Sequence, residues 1–521
     1  MLNRFCCKTN SMSTALGHAN EPHSSPGGVG AGPRVLLCTA VAIIVVITAV
    51  RTWTWWKDDA GISFASGVMI TMGADLQNGV FYRPLFGSAG YGGTRYFPLY
   101  FCLHALLLRL GMPVLASAYL LSTAAIILLI FGIFRLLREL GVEPWLAAAS
   151  ALMILAASSV QLSLTTPQAD GLAAALNVWG LAAIASRPSS GRKTLVASLL
   201  FTLAWSAKVT TVFGLAAAFI WLIATGYKRV AWKLAAETAC GYAMVAGAIM
   251  VASRGRVVDI FRACAAGGAN WRFIVSGPIR MESMAVYTDP VLVVFAVLAL
   301  LVLVFLMFSA NILQNLPALF LMTTMAITVV IFGSPGTAGN HLLDLQVASV
   351  ILLATRVANA AFPIRKQLGI YALSLLILVA AILLVRHIKT WSRWYHPHQF
   401  QRVIEAIGPT NKPILAENAA IPVIAGQQPY VIDPWMVQLL RTRFPGFQEP
   451  LLEGLRNQDF SAVVLTSGNT AENGAQGWFD NNSFGPGFVS ALNDHYRFAQ
   501  VIDNDWIYLP RSVATQKGET K

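Results

Sequence analysis

Residues 35–59 read VLLCTAVAIIVVITAVRTWTWWKDD. An apolar run fills 35–52, Trp53, Trp55 and Trp56 follow at once, and then come Lys57, Asp58 and Asp59. Crossing a bilayer as a helix takes roughly 17–25 residues, so 35–52 is long enough for one span. Indole rings favour the boundary between hydrocarbon and headgroups, and the tryptophans mark the far end of that span. Two acids directly beyond it lose part of their hydration, which costs more than in open water. They either begin a solvated loop or serve as a general base or metal ligand where a lipid-borne substrate meets water.

The same signal recurs along the chain. Further apolar stretches lie near 114–134, 145–162, 169–186, 194–209, 210–226, 234–252, 289–308, 313–333, 341–359 and 368–386. With the first they predict a polytopic α-helical membrane protein of about eleven spans. Of 521 residues, 56% are apolar and 12% charged, against about 25% charged in soluble domains. This is not the composition of a cytosolic enzyme. The net charge is +13, with 26 basic against 12 acidic residues in 1–386 and 11 against 12 in 387–521. Basic residues concentrated among spans orient a membrane protein, and no nucleic-acid partner is implied. The six cysteines have no metal-knuckle spacing, which excludes a zinc ribbon or a disulfide framework. Cys6-Cys7 reads as free thiols or an acylation site. Residues 1–33 lack the pattern of a cleaved signal peptide and read as a disordered cytosolic tail.

The run Pro98–Leu110 is short and carries His104 and Arg109. Counting it as a span would turn 11 basic residues outward, among them Arg135, Arg187, Lys228 and Arg356, against the positive-inside rule. It reads as a helix along the outer surface, with His104 and Arg109 tethering it to headgroups. The N-terminus is then cytoplasmic and the C-terminus outside. Outward loops cover 53–113 and 253–288, within a membrane domain over 34–386. The second loop holds Arg254, Arg256, Arg262, Arg272 and Arg280. Outward basic charge suits a phosphate ligand, or lipid headgroups reached by snorkelling. From about His387 short β-like runs appear at Pro413–Ala416, Pro429–Ile432, Ala462–Thr466, Phe498–Ile502 and Trp506–Leu509. Helical patterns alternate with them at Pro434–Arg443 and Pro450–Asn457. Residues 387–521 therefore predict a small extracytoplasmic α/β domain. No GxxxxGK[ST] loop, HExxH or GxSxG is present.

After the acids come an amphipathic stretch, Ile62–Asp75, then Gly79-Val-Phe-Tyr82, a Gly-rich loop over Gly87–Gly93, and Arg95-Tyr96-Phe97-Pro98-Leu99-Tyr100. Pro167-Gln-Ala-Asp170, Trp205-Ser-Ala-Lys208-Val-Thr210 and Gly339-Asn340-His341-Leu-Leu-Asp344 follow in order. This series resembles the lipid-linked-sugar glycosyltransferases of the GT-C fold, which include protein O-mannosyltransferases and aminoarabinose transferases. One proline precedes Leu99 where that family often has two, and Asp58-Asp59 stands where close relatives have Asp-Glu.

The resemblance implies a multi-pass enzyme of the bacterial inner membrane with a periplasmic tail. Its donor would be a polyprenyl-phosphate sugar in the membrane lipid, and its acceptor a hydroxyl on a glycan, lipid or protein. Asp58 or Asp59 would take the acceptor's proton, with Asp58 preferred because it comes first after Lys57. Lys208, Arg272, Arg280 and His341 would hold the donor phosphate. Tyr82, Arg95, Tyr96, Asp170 and Asp344 would line the substrate site. One base opposite the leaving phosphate implies inversion at the anomeric carbon. The resemblance fixes no cofactor, and the carboxylate pair with water would suit Mg²⁺ or Mn²⁺ as an alternative to the base role. Buried charges at membrane depth also serve as plain interhelical ion pairs, Lys208 with Asp170 for instance. A transporter built from paired broken spans and a surface-polysaccharide polymerase or ligase are the competing classes.

Overall fold

The computed structural model describes residues 30–188, 190–264, 271–308, 311–334, 337–391, 398–466 and 475–511. Cys6-Cys7 and most of the expected tail lie outside the described residues. Helix α1 (Ala31–Lys57) buries Leu37, Ala40, Ile44, Thr48 and Arg51 along one face, the spacing of a helical stripe. Lys57 sits in its last turn, where a cation complements the helix dipole. The chain then leaves the helix through Asp59, whose φ of +48° is left-handed, a conformation Asp tolerates better than most residues.

Helices α2 (Phe64–Gln77) and α3 (Pro98–Arg109) pack on each other and roof the end of the bundle at which α1 finishes. Ser63 caps α2 by accepting from the Ser66 N–H, and Pro98 opens α3. A helix therefore forms over Pro98–Arg109, but its His104 is fully buried. Its Nε2 lies 3.0 Å from Ser117 Oγ, and Arg109 donates to the Leu76 carbonyl at 3.1 Å. His104 is therefore not the expected headgroup tether, because its ring joins α3 to α4, while the exposed Arg109 ties α3 to α2.

Below the roof run α4 (Val114–Glu139), α5 (Pro144–Met153), α6 (Ser158–Thr165), α7 (Asp170–Ser186), α8 (Gly191–Ala207), α9 (Phe213–Ala224) and α10 (Lys228–Ala252). After α11 (Arg256–Cys264), α12 (Trp271–Val275) and α13 (Gly277–Thr288) come α14 (Pro290–Met307), α15 (Leu316–Phe332), α16 (Leu343–Ala358) and α17 (Pro363–Trp391). Helices α5 and α6 meet at a 77° bend where Ala157 is extended. The backbone groups freed by that break are satisfied inside the protein, as they must be in an apolar medium. Gln161 Nε2 donates to the Leu155 carbonyl at 2.8 Å, and Asp289 accepts from the Ser159 N–H at 2.9 Å. Arg51 of α1 binds Gln161 from the other side.

Among the described residues five helices are long and apolar enough to cross a membrane, or six if the bent pair is one span. The eleven expected spans are not reached by that measure. The stretches at 169–186, 210–226, 289–308 and 313–333 fold as the shorter apolar helices Asp170–Ser186, Phe213–Ala224, Val291–Met307 and Leu316–Phe332. Part of the reason is that apolar residues at these places face protein as well as lipid: α7 is buried on nearly every side by α4, α8 and α9. Elsewhere large apolar side chains point outward, including Met244, Val251, Leu301, Phe305 and Leu375. Such a belt is what lipid covers, and the chain is a multi-pass α-helical membrane protein.

The C-terminal unit alternates α18 (Phe400–Ile407), β3 (Ile414–Ala416), α19 (Ala420–Ile424), α20 (Pro434–Arg441), α21 (Glu449–Arg456) and β4 (Ala462–Thr466), after the short hairpin strands β1 (Phe86–Gly87) and β2 (Gly90–Tyr91) earlier in the chain. Helices α22 (Ala475–Asn482) and α23 (Phe488–His495) then lead to β5 (Tyr496–Ile502) and β6 (Asp505–Pro510). The sheet order is β3-β4-β6-β5, with β3 and β4 parallel and the other pairs antiparallel. Pro429–Ile432, expected as a strand, forms only an isolated bridge from Val431 to Tyr91. The chain there is used to dock the β1–β2 hairpin. The Tyr91 N–H donates to the Tyr430 carbonyl at 2.7 Å, and the Ile432 N–H donates to the Tyr91 carbonyl at 3.1 Å. Gly90 permits this approach, since a Cβ there would lie 2.0 Å from the Tyr430 carbonyl oxygen. A buried Arg83–Asp75 pair at 2.6 Å adds a second tie, as Arg83 also donates to the Pro429 carbonyl at 2.6 Å.

Candidate functional site

Lys208 follows the last residue of α8 in an extended conformation that takes it out of the helix. Its Nζ lies 2.6 Å from Asp170 Oδ1. Asp170 is the first residue of α7, where the helix dipole favours a carboxylate. Asn340 Nδ2 donates to its other oxygen at 3.1 Å. Asn340 and His341 come from a 3₁₀ turn, Gly339–Leu342, and Asp344 from the first turn of α16. The charges of Lys208 and Asp170 act on both His341 and Asp344. Three sequence elements, at Asp170, at Lys208 and at Gly339–Asp344, thus converge on one polar cluster, and the anticipated Lys208–Asp170 ion pair is its centre. Asn340 belongs to it and was not singled out from sequence, although it sits inside the polar Gly339–Asp344 element.

Arg95 also acts on His341. Its guanidinium carbon lies 4.4 Å from the ring centroid of Trp435, on α20 of the C-terminal unit. Asp433, which caps α20 by accepting from the Met436 N–H, is held up to about pKa 6 by burial, partly offset by Arg95. Tyr96 lies within the fields of Asp433, Asp170 and Arg95. Its carbonyl accepts from the Tyr82 hydroxyl at 2.8 Å. Tyr82 itself is buried among Phe81, Phe101 and Phe261, so it braces Tyr96. Phe97 packs edge-on against Trp205 at 5.0 Å, and Trp205 stacks on Tyr242 at 4.6 Å. Arg272 is exposed on α12, and Arg280 donates to the Phe332 carbonyl at 2.6 Å. The arginine whose field reaches His341 together with that of Lys208 is Arg95. The sequence carried no signal for Asp433 and Trp435 as neighbours of Arg95, because more than 330 residues separate them.

The acid turn forms a second group at the same end of the bundle. The Tyr119 hydroxyl donates to Asp59 Oδ1 at 3.2 Å, and the His398 N–H donates to the Asp58 carbonyl at 2.9 Å. Asp59 is raised to about pKa 6, chiefly by burial, while the Tyr119 hydrogen bond and the field of His398 work against that rise. Burial thus gives Asp59 the environment of a proton acceptor near neutrality. Gly61 lies against the Thr165 carbonyl, where a Cβ would approach to 2.0 Å. This places the turn beside the segment that leads into Asp170. Among the described residues no three His, Cys, Asp or Glu side chains form a metal-binding group. A divalent ion at the acid pair would draw its remaining ligands from substrate and water.

No family model and no curated protein sequence matches the chain. Solved structures do. The apo oligosaccharyltransferase of Archaeoglobus fulgidus superposes with a TM-score of 0.53 at 12% identity, over 92% of this chain and 74% of that one. The same protein tethered to an acceptor peptide gives 0.52 at 13%, with the same coverage. ArnT from Cupriavidus metallidurans bound to undecaprenyl phosphate gives 0.46 at 11%, over 89% of this chain and 97% of that one. At these identities the likeness concerns the fold alone, which the chain shares with the archaeal oligosaccharyltransferase.

Proposed function

We propose that the chain is a membrane glycosyltransferase that moves a sugar from a polyprenyl-phosphate donor to a hydroxyl acceptor. The observation that carries this reading is the Lys208 cluster: two cations, Lys208 and Arg95, with Asp170, Asn340, His341 and Asp344, under a roof of surface helices. A buried lysine at membrane depth is expensive unless it serves a polar cavity or an ion pair. Here the pair with Asp170 orients Lys208, and Arg95, whose field reaches both Asp433 and His341, adds a second cation. A phosphate monoester leaving on a lipid is the anion such a pair of cations would stabilise.

In this reading Asp59 accepts the acceptor's proton as the hydroxyl oxygen attacks the anomeric carbon. The bond from that carbon to the phosphate oxygen breaks, and polyprenyl phosphate leaves toward Lys208 and Arg95. Attack opposite the leaving group inverts the anomeric carbon. The site lies at the outer face of a bacterial inner membrane, with the N-terminus cytoplasmic and the C-terminal unit periplasmic. Arg272 and Arg280 stay in the proposal only as outer charges that attract the anionic lipid.

The experiment is binding of the product lipid alone. Polyprenyl phosphate added to the detergent-solubilised full chain should raise its Tm, and Lys208→Met should abolish the rise. No rise with the unaltered protein would count against the reading.

A further inference from the structure

Asp505 is fully buried at the start of β6 and lies 2.9 Å from His398 Nδ1. A carboxylate facing that nitrogen accepts from it, so Nδ1 carries the proton. The imidazole is fixed further by stacking on Phe400, with centroids 4.9 Å apart and planes 5° from parallel. The backbone N–H of the same histidine donates to the Asp58 carbonyl, inside the turn in which Asp59 takes a left-handed conformation. Groups from three parts of the chain therefore face Asp59: Asp58 beside it, the Tyr119 hydroxyl from α4, and His398 with Asp505 behind it. Only the last pair comes from the C-terminal unit. A buried imidazole–carboxylate pair is costly to assemble, and this one stands where the first residue of β6 meets the acid turn of the membrane unit.

We infer that the His398–Asp505 pair is a positioning device for the acid turn: it holds the backbone at Asp58 and sets the charge around Asp59. The C-terminal unit is then part of the active site and not an appended domain. This rests on the reading of Asp59 as the base. His398 touches neither reacting atom and acts through Asp59.

The test reads Asp59 directly and needs no donor. In the full-length protein, modification of Asp59 by a water-soluble carbodiimide with glycinamide is followed by mass spectrometry across pH, in an Asp58→Asn background so that only one acid of the pair reacts. Carbodiimides attack the protonated carboxyl, so labelling falls as Asp59 ionises. The midpoint should move upward by about half a pH unit or more in His398→Asn, because the imidazole's field favours the carboxylate. Asparagine keeps an N–H donor where Nδ1 stands, so this variant should fold with the bond to Asp505 intact. His398→Ala removes both and should move the midpoint as far while lowering Tm. A midpoint unchanged in both variants would overturn the inference. Transfer by Asp59→Asn is measured alongside: a shifted midpoint with full transfer in Asp59→Asn would keep the positioning role and remove the base role.

Discussion

At the scale of single residues the account separates two adjacent acids. Asp59 accepts from Tyr119 and has a raised pKa near 6, while Asp58 gives its carbonyl to His398. Asp59→Asn should fold, bind polyprenyl phosphate and lose roughly 10²–10⁴ in transfer rate, the range for removal of a general base. Asp58→Asn should lose little. A base works only when deprotonated, so kcat/KM should be level above about pH 6 and fall below it. A profile flat through that window would remove Asp59 from the role. Lys208 gives a different signature. Breaking its pair with Asp170 leaves a buried carboxylate without its cation, which costs about 3–5 kcal/mol. Lys208→Met should therefore lower Tm as well as donor use. Lys208→Met with Asp170→Asn should recover Tm and leave transfer lost. Recovery of both would make the pair purely structural.

Among the elements, the bent α5–α6 pair shows how a broken helix survives in an apolar setting. Its exposed N–H at Ser159 is taken by Asp289, which also caps α14 through the Leu292 N–H at 3.0 Å. Asp289→Ala should leave buried donors without acceptors, each costing about 1–3 kcal/mol. The expected result is a fall in Tm of the solubilised chain, and an unchanged Tm would mean that the break holds itself. The bend illustrates what could be read in advance. Residues 145–162 looked like one continuous span because apolar composition does not report the extended Ala157. By contrast α2, α3 and the four strands of the C-terminal sheet were legible from amphipathic and β-like runs. Lys208, Asp170 and His341 were legible as well, since ionisable residues inside apolar stretches stand out. His398, Asp433 and Trp435 were not. Each lies in a segment of the C-terminal unit with no motif of its own and gains meaning only when Tyr91, Arg83 and Asn418 fix that unit to the 58–97 loop.

For the whole molecule, that attachment joins membrane bundle and sheet, and under the proposed function it puts the chemistry on a single side of the membrane. A phosphatase fused after Lys521 should be active and a cytosol-dependent reporter at the same place silent. The reverse would turn the basic loops outward and put the acid turn on the wrong face for a lipid-borne donor. The central claim is transfer itself. Membranes containing the full chain, supplied with isotopically labelled polyprenyl-phosphate sugars extracted from bacterial membranes, should release free polyprenyl phosphate as label enters an acceptor. Membranes with Asp59→Asn should keep the donor bound and release polyprenyl phosphate at least about a hundredfold more slowly. Absence of release by the unaltered protein, or equal release by Asp59→Asn, would contradict the account.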